Sequence, residues 1–191
     1  KNNLQIISSL LALQSKYISD DEALKALQQG QDRVQTMALI HQDLYETESL
    51  SGVTADSYVH QLTDKLMESY NYDESEIDVI VEVDDIILDL DTMIPLGLII
   101  NELVSNAFKH AFNNIEHKPS IQIKLFEKGQ ALRLEVSDNG KGIRDISELE
   151  GQSFGFELVK AFTKKLKADI RVHSDNGLHV KLLIDKYGKL K

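Results

Sequence analysis

Glu102, Asn106 and Lys109 recur at helical spacing within PLGLIINELVSNAFKHAF, residues 95–112. At 3.6 residues per turn the three fall in one narrow arc, with Ser105 and His110 at its margins, while Leu96, Ile100, Leu103, Ala107 and Ala111 share the opposite side. A carboxylate, a carboxamide and an ammonium therefore look out over one surface. An ordinary solvated helix face can look the same, but Glu, Lys and Gln fill such faces better than Asn, an indifferent helix former. A carboxamide oxygen four residues from a carboxylate is hard-oxygen chemistry, of the kind a magnesium ion uses when it bridges protein and phosphates.

Two further stretches could bind a ligand. DNGKG, residues 138–142, ends a run of alternating apolar residues. Asp138 sets a fixed acceptor at a strand end, and Gly140 and Gly142 free the backbone to turn with φ > 0 and to approach a ligand closely. SFGFELV, residues 153–159, places Gly155 where a loop becomes a helix, and the free N–H groups of a helix start suit a phosphate. Taken singly, the first also reads as a plain turn and the second as an ordinary helix start.

The elements that position these residues follow from periodicity. Residues 3–17 carry two apolar seams, one of Leu4, Ile7 and Leu11, the other of Ile6, Leu10, Leu13 and Tyr17. Ser19 is expected to cap a second helix whose first turn holds two aspartates and whose Leu24, Leu27, Val34, Ala38, His41 and Tyr45 recur at heptad spacing. The two helices form a hairpin with more apolar surface than one partner covers, so a homodimeric four-helix bundle is expected. The polar stretch 46–52 marks a boundary, which gives a hairpin domain over 1–49 and a second domain over 50–191.

In the second domain Thr54 is expected to cap a helix running to about Tyr70, with Val59, Leu62 and Leu66 inward. Residues 77–83 alternate as a half-buried strand, a short apolar run covers 86–90, and Pro95 is placed in the first turn of the central helix. Strands over 121–125 and 132–136 join through Lys128 and Gly129 as a hairpin, and the second runs into DNGKG. A loop over 143–153 leads to a helix ending near Leu166. Asp175, Asn176 and Gly177 turn a final hairpin between 170–173 and 178–184. The expected class is α+β, a helical hairpin followed by a two-layer α/β sandwich.

Composition narrows the function. A formal net charge of −10 without a basic run argues against nucleic acid or an acidic membrane surface as partner, so any anionic ligand must be held by local groups. Cysteine is absent, which excludes a disulfide framework and thiolate zinc sites. No apolar run approaches the roughly 18 residues of a membrane span, and the start has no signal-peptide pattern. The expectation is a soluble, cytoplasmic piece without membrane contact of its own, with room for an anchor upstream in a longer protein. KNNLQIISSLLALQ enters directly on a periodic helix, as a fragment cut inside a helix would.

In order and spacing, NELVSNAFKHAF, DNGKG and SFGFELV resemble the N box and the first and second glycine boxes of the ATP-binding domain shared by gyrase, Hsp90, histidine kinases and MutL. KNNLQIISSLLALQ and MALIHQDLY resemble the dimerisation helices of sensor histidine kinases of the HWE-like type, whose first helix carries HRVKNNLQ. The resemblance covers nearly the whole chain.

It implies the ATP- and Mg²⁺-dependent catalytic core of a two-component kinase. Such a core phosphorylates its own histidine and passes the phosphoryl group to an aspartate of a response-regulator receiver domain. By this resemblance Asn106 binds the Mg²⁺, Glu102 holds the ion's water or helps move a proton, Lys109 contacts phosphate and His110 lies against the nucleotide. Asp138 accepts from the adenine amino group, Gly140 and Gly142 give the nucleotide room and hinge a lid over 143–153, and Ser153, Phe154 and Gly155 line the phosphates. The phosphoacceptor of HRVKNN would lie three residues before Lys1. Ser153 replaces the first glycine of the commoner GLGL form, and Gly177 with Leu178 stands where many relatives have Gly-Thr, which removes a hydroxyl beside the adenine.

His41 lies on the apolar seam and reads as bundle packing rather than as a substitute nucleophile. His60, His117, His173 and His179 show no partner pattern. Two rivals remain. A serine kinase of the anti-sigma type shares the ATP fold but lacks the helical hairpin, and a nucleotide-sensing dimerisation module would need no acceptor histidine.

Overall fold

A computed structural model describes residues 2–46, 53–113, 115–143 and 154–190. Helices α1 (Asn2–Ser15) and α2 (Asp21–Glu46) form the expected hairpin. The cap of α2 is Asp20 rather than Ser19, because the Asp20 carboxylate accepts from the Ala23 N–H at 2.7 Å. Leu4 and Leu11 are half-buried, whereas Ile6, Ile7, Leu10, Leu13, Tyr17 and Leu24 are exposed. Ile7 thus leaves the seam in which the spacing placed it and joins the outward one. The boundary placed over 46–52 falls, beyond Glu46, outside the described residues.

The α/β unit opens on β1 (Val53–Thr54) and α3 (Ala55–Ser69). Thr54 is the N-cap residue of α3 by position, but its hydroxyl makes no capping bond. Val59, Leu62 and Leu66 of α3 are buried as expected. Next come β2 (Asp78–Val83), β3 (Ile87–Leu88), α4 (Leu90–Asn106), β4 (Ser120–Lys128), β5 (Ala131–Asp138), α5 (Phe154–Lys165), β6 (Asp169–Ser174), β7 (Leu178–Ile184) and β8 (Lys189–Leu190). The main sheet has five strands in the order β2-β4-β5-β7-β6. Only the β2–β4 pair in it is parallel, as the crossover through α4 between those strands requires.

Strict alternation puts Ile121, Ile123 and Leu125 of β4, Leu132, Leu134 and Val136 of β5, and Val180, Leu182 and Ile184 of β7 on one buried face. The helices α3, α4 and α5 cover that face. The opposite face carries charged ladders such as Lys124–Glu82 at 2.8 Å and Lys181–Glu135 at 3.2 Å. The result is the expected two-layer α/β sandwich. The β4–β5 turn lies one residue later than its expected centre, since Lys128 pairs with Ala131 and leaves Gly129 and Gln130 as the loop.

A second, three-stranded sheet of order β1-β3-β8 was not anticipated, because two-residue strands carry no periodicity to read. Its outer strand β8 is tied to the main sheet by Glu127, which accepts from Tyr187 Oη and, at 2.6 Å, from Lys189 Nζ. The carboxylate beside it pushes the Tyr187 phenol up to about 12.

Helix α4 starts well before its expected first turn. Asp89 is the N-cap, with its side chain accepting from the Thr92 N–H at 2.9 Å, and Pro95 lies inside the helix rather than at its start. At its other end α4 passes into a π-helical turn, Ala107–Ala111. That turn is held by Phe108, which packs against Tyr72 (centroids 5.0 Å) and Tyr70 (5.3 Å). It also changes the angular spacing of the residues after Asn106, so Lys109 and His110 no longer follow a 3.6-residue period.

Candidate functional site

The polar stripe of α4 is not a solvated face. Glu102 is 5% exposed and Ser105 4%, and Asn106 and Lys109 are half-buried. Burying a carboxylate requires a partner, and Arg33 of α2 supplies it. Its Nε donates to Glu102 Oε1 and its Nη2 to Oε2 at 3.0 Å, a bidentate pair. Oε2 lies against the backbone at the start of α5, where a Cβ added at Gly155 would stand 2.5 Å from it and 3.7 Å from Asn106 Nδ2. Only glycine fits there with Glu102 in this position. The structure thus brings together Glu102, Asn106 and Gly155, residues from two separate motifs.

Asp138, at the end of β5, is buried. Its Oδ1 accepts from the Gly140 N–H at 2.8 Å and from the Leu178 N–H at 3.3 Å, which fixes the turn after β5 to the start of β7. It borders an apolar cleft lined by Leu103, Ala107, Ile121, Val136, Leu178 and Val180, of about 10 Å³. That is room for about one water, so a flat ring would enter only as the walls part. Burial pushes the Asp138 carboxyl above its ordinary value, against the two backbone N–H groups and His179, which pull it down.

The DNGKG turn packs on the end of the π-helical turn, where the Lys141 N–H donates to Ala111 O at 3.0 Å. Of its two glycines only Gly142 has positive φ, at 64°. Gly140 is needed for close approach instead, since a Cβ there would meet Ala111 O at 2.5 Å. Asn139 is a staple, its side chain accepting from the Ser120 N–H and donating to Lys118 O. Ser174 of β6, which no sequence signal marked, clamps the next residue: its Oγ accepts from the Ile143 N–H at 2.8 Å and donates to Ile143 O at 2.9 Å.

Lys109 does not point to Glu102 and Gly155. Its ammonium lies 5.5 Å from the centroid of the Tyr70 ring. His110 is exposed, and the desolvation it does experience, with the positive charges of Lys109 and Lys141, holds its imidazole below the ordinary value. Ser153, the side chain of Phe154 and nearly all of the expected lid lie outside the described residues, as does the side chain of His41.

Sequence reading missed the groups that α2 contributes. Besides Arg33, Thr36 is buried, and its Oγ1 accepts from Asn101 Nδ2 at 2.7 Å. These contacts join residues 65 and 69 positions apart, for which no local pattern exists.

Residues 92–187, half of the chain, match the family described as histidine kinase-, DNA gyrase B- and HSP90-like ATPase. The chain belongs to that family. In this ATPase-family chain the stretch before the five-stranded sheet, residues 1–70, also matches a family described as histidine kinase. The sensor histidine kinase PdtaS of Mycolicibacterium smegmatis is 31% identical over 179 residues, covering 91% of this chain and 35% of that protein. Blue-light-activated histidine kinase 2 of Erythrobacter litoralis is 22% identical over 184 residues, covering 90% of this chain and 50% of that one. The chain therefore spans about a third to a half of the length of these curated relatives. The solved histidine kinase domain of the Erythrobacter litoralis EL346 blue-light activated histidine kinase shares the fold. Its TM-score is 0.73 at 23% identity, over 97% of this chain and 88% of that one. Acinetobacter baumannii histidine kinase AdeS aligns with a TM-score of 0.54 at 18% identity, over 95% and 94%.

The buried Asp138 of this ATPase-family domain gives a stability prediction. A carboxyl whose folded pKa is raised contributes stability that is full below its unfolded value, 3.8, and lost as pH rises through the folded one. At pH 7 the ionised group is therefore a net cost. In Asp138→Asn the amide oxygen can still accept from Gly140 and Leu178, so the melting temperature should rise by about a few degrees at pH 7. The difference from wild type should shrink as pH approaches 4. A variant less stable than wild type at pH 7 would show that the ionised carboxylate is worth more than its burial costs.

Proposed function

We propose that this chain is the catalytic core of a two-component sensor histidine kinase, a hairpin over 1–49 followed by an ATP-binding domain over 50–191. Mg-ATP would lie between α4, the DNGKG turn and the start of α5. The observation that carries the reading is the convergence of Glu102, Asn106 and Gly155 beside a cleft with an apolar lining and a carboxylate at its edge. An adenine ring wants apolar faces and an acceptor for its amino group. Asp138 can supply that acceptor through Oδ2 while Oδ1 stays with the two backbone N–H groups.

Phosphoryl transfer needs positioning and charge neutralisation more than covalent help from the protein. Asn106 would offer its carboxamide oxygen to Mg²⁺, an ion that keeps several waters and takes few protein ligands, and that supplies charge neutralisation at the phosphates when bound. The N–H groups at the start of α5 suit the phosphates. Lys109 would have to leave Tyr70 to reach them, and His110 would flank the nucleotide as a neutral ring. Gly140 and Gly142 keep the adenine side clear, and Ser153 and Phe154 precede the phosphate-binding turn. A neutral imidazole attacks the γ-phosphorus, the N–P bond forms as the bond to the bridging oxygen breaks, and ADP leaves. Glu102 takes the proton released from the imidazole. A receiver-domain aspartate of a response regulator would then accept the phosphoryl group.

The histidine kinase family match over residues 1–70, which takes in the hairpin, speaks against a serine kinase of the anti-sigma type. The outward seam of Ile6, Ile7, Leu10, Leu13, Tyr17 and Leu24 favours a homodimer through the hairpin. No helix of the described residues is long and apolar enough to cross a membrane, in keeping with a cytoplasmic core.

Calorimetry tests the site. Asn106→Ala should weaken Mg-ATP by roughly 10- to 100-fold. Asp138→Asn should weaken ATP with or without metal, because one amide oxygen cannot serve both the backbone and the adenine. Unchanged binding in both variants would remove the assignment. Sedimentation tests the assembly, with a fragment from residue 52 onward expected to be monomeric and the whole chain dimeric. An equally tight dimer of the fragment would place the interface elsewhere. For the kinase reaction, a longer native chain that includes the histidine expected three residues before Lys1 should acquire acid-labile phosphate from Mg-ATP, and His41→Gln should leave it unchanged. ATP binding without any phosphate in that longer chain would favour a passive nucleotide sensor.

A further inference from the structure

Helix α2 engages α4 at two adjacent residues, Asn101 and Glu102. The guanidinium of Arg33 takes one lone pair of each Glu102 oxygen, and the side chains of this pair are 15% and 7% exposed. One turn later Thr36 accepts from Asn101 and donates to Asp32 O at 2.9 Å. A carboxylate in this state is held in one place, because a guanidinium N–H occupies each of its oxygens. Its Oε2 also lies against Gly155, where the start of α5 would otherwise offer its N–H groups to an anion.

The contact adjoins a gap in the packing. Beside it a cavity of about 280 Å³ separates α2 from α3, lined by Gln28, Asp32, Gln35, Lys65, Ser69 and Asn101 among others. Asp32 is 9% exposed, and among the described residues its Oδ2 lacks a hydrogen-bond partner. A seam in which directed polar bonds adjoin a gap is the kind that supports relative motion.

We propose that Arg33 is a positioning residue that withholds Glu102 and covers the start of α5, so that docking of α2 on α4 and binding of Mg-ATP exclude each other. The proposal rests on the ATP-site reading above. Linkage makes the effect reciprocal: whatever pulls α2 away tightens Mg-ATP, and Mg-ATP loosens α2. Cleaving Glu102 from Arg33 then both frees the proton acceptor and opens the phosphate position.

Two measurements on the whole chain test this. Hydrogen exchange of the α2 amides around residues 28–38 should accelerate when Mg-ATP is added to wild type. In Arg33→Gln it should already be fast without nucleotide. Calorimetry should show Mg-ATP bound about tenfold more tightly by Arg33→Gln, within the roughly 5- to 150-fold range of such couplings. Arg33→Lys, which keeps the charge but loses the fork, should fall between the two. Thr36→Val breaks the neighbouring bond without stranding a charge, and it should shift affinity and exchange in the same direction, which guards against misfolding of the Arg33 variants. Unchanged affinity with unchanged exchange in all three variants overturns the latch and leaves the ATP site standing. Absence of Mg-ATP binding in wild type and every variant overturns both, and is distinguished by the missing heat of binding.

Discussion

A carboxylate at 5% exposure on a helix packed between a sheet and three neighbouring helices has to be neutralised, and that requirement shapes the molecule around Glu102. Removing either member of a buried pair of this kind costs about 3–5 kcal/mol, because the remaining charge is stranded. Arg33 must therefore come to α4, which fixes where the hairpin docks. With the carboxylate held by Arg33, its Oε2 fills the space a side chain at 155 would take. Local choices in three distant parts of the chain are set by one buried charge.

The same logic separates what the residues disclosed from what they did not. The alternation of β4, β5 and β7 and the stripe of α4 are periodic, and each was readable because one face is buried and the other is not. Asp89 went unread as a cap because the apolar pattern after it is almost continuous, so the start of α4 had no contrast to mark it. Asp20 and Ser19 compete for one capping position, and only the bond from Ala23 decides between them.

Motif residues were legible one by one but their mutual geometry was not. Glu102, Asn106 and Gly155 were placed in a common site by resemblance, and the folded chain does bring them into contact. Lys109 was placed there too, yet the π-helical turn and the Tyr70–Phe108–Tyr72 cluster direct it elsewhere. Such a turn depends on tertiary packing that no window of the sequence contains. Arg33 and Thr36 escaped for a related reason: on α2 they sit among residues that look like hairpin seam, and their partners are far along the chain.

The small sheet has a consequence of a different kind. Strands β1 and β8 flank β3, so the first and the last described strands of the α/β unit lie two strand spacings apart, roughly 10 Å. A unit whose entry and exit are neighbours can be spliced into a loop of a host protein, or reopened elsewhere after its ends are joined, without stretching the backbone. The ATPase-family domain is in this sense a cassette. Its attachment points are two-residue strands rather than α4, and the hairpin that precedes β1 reaches α4 through Arg33 and Thr36 instead of through the strand itself.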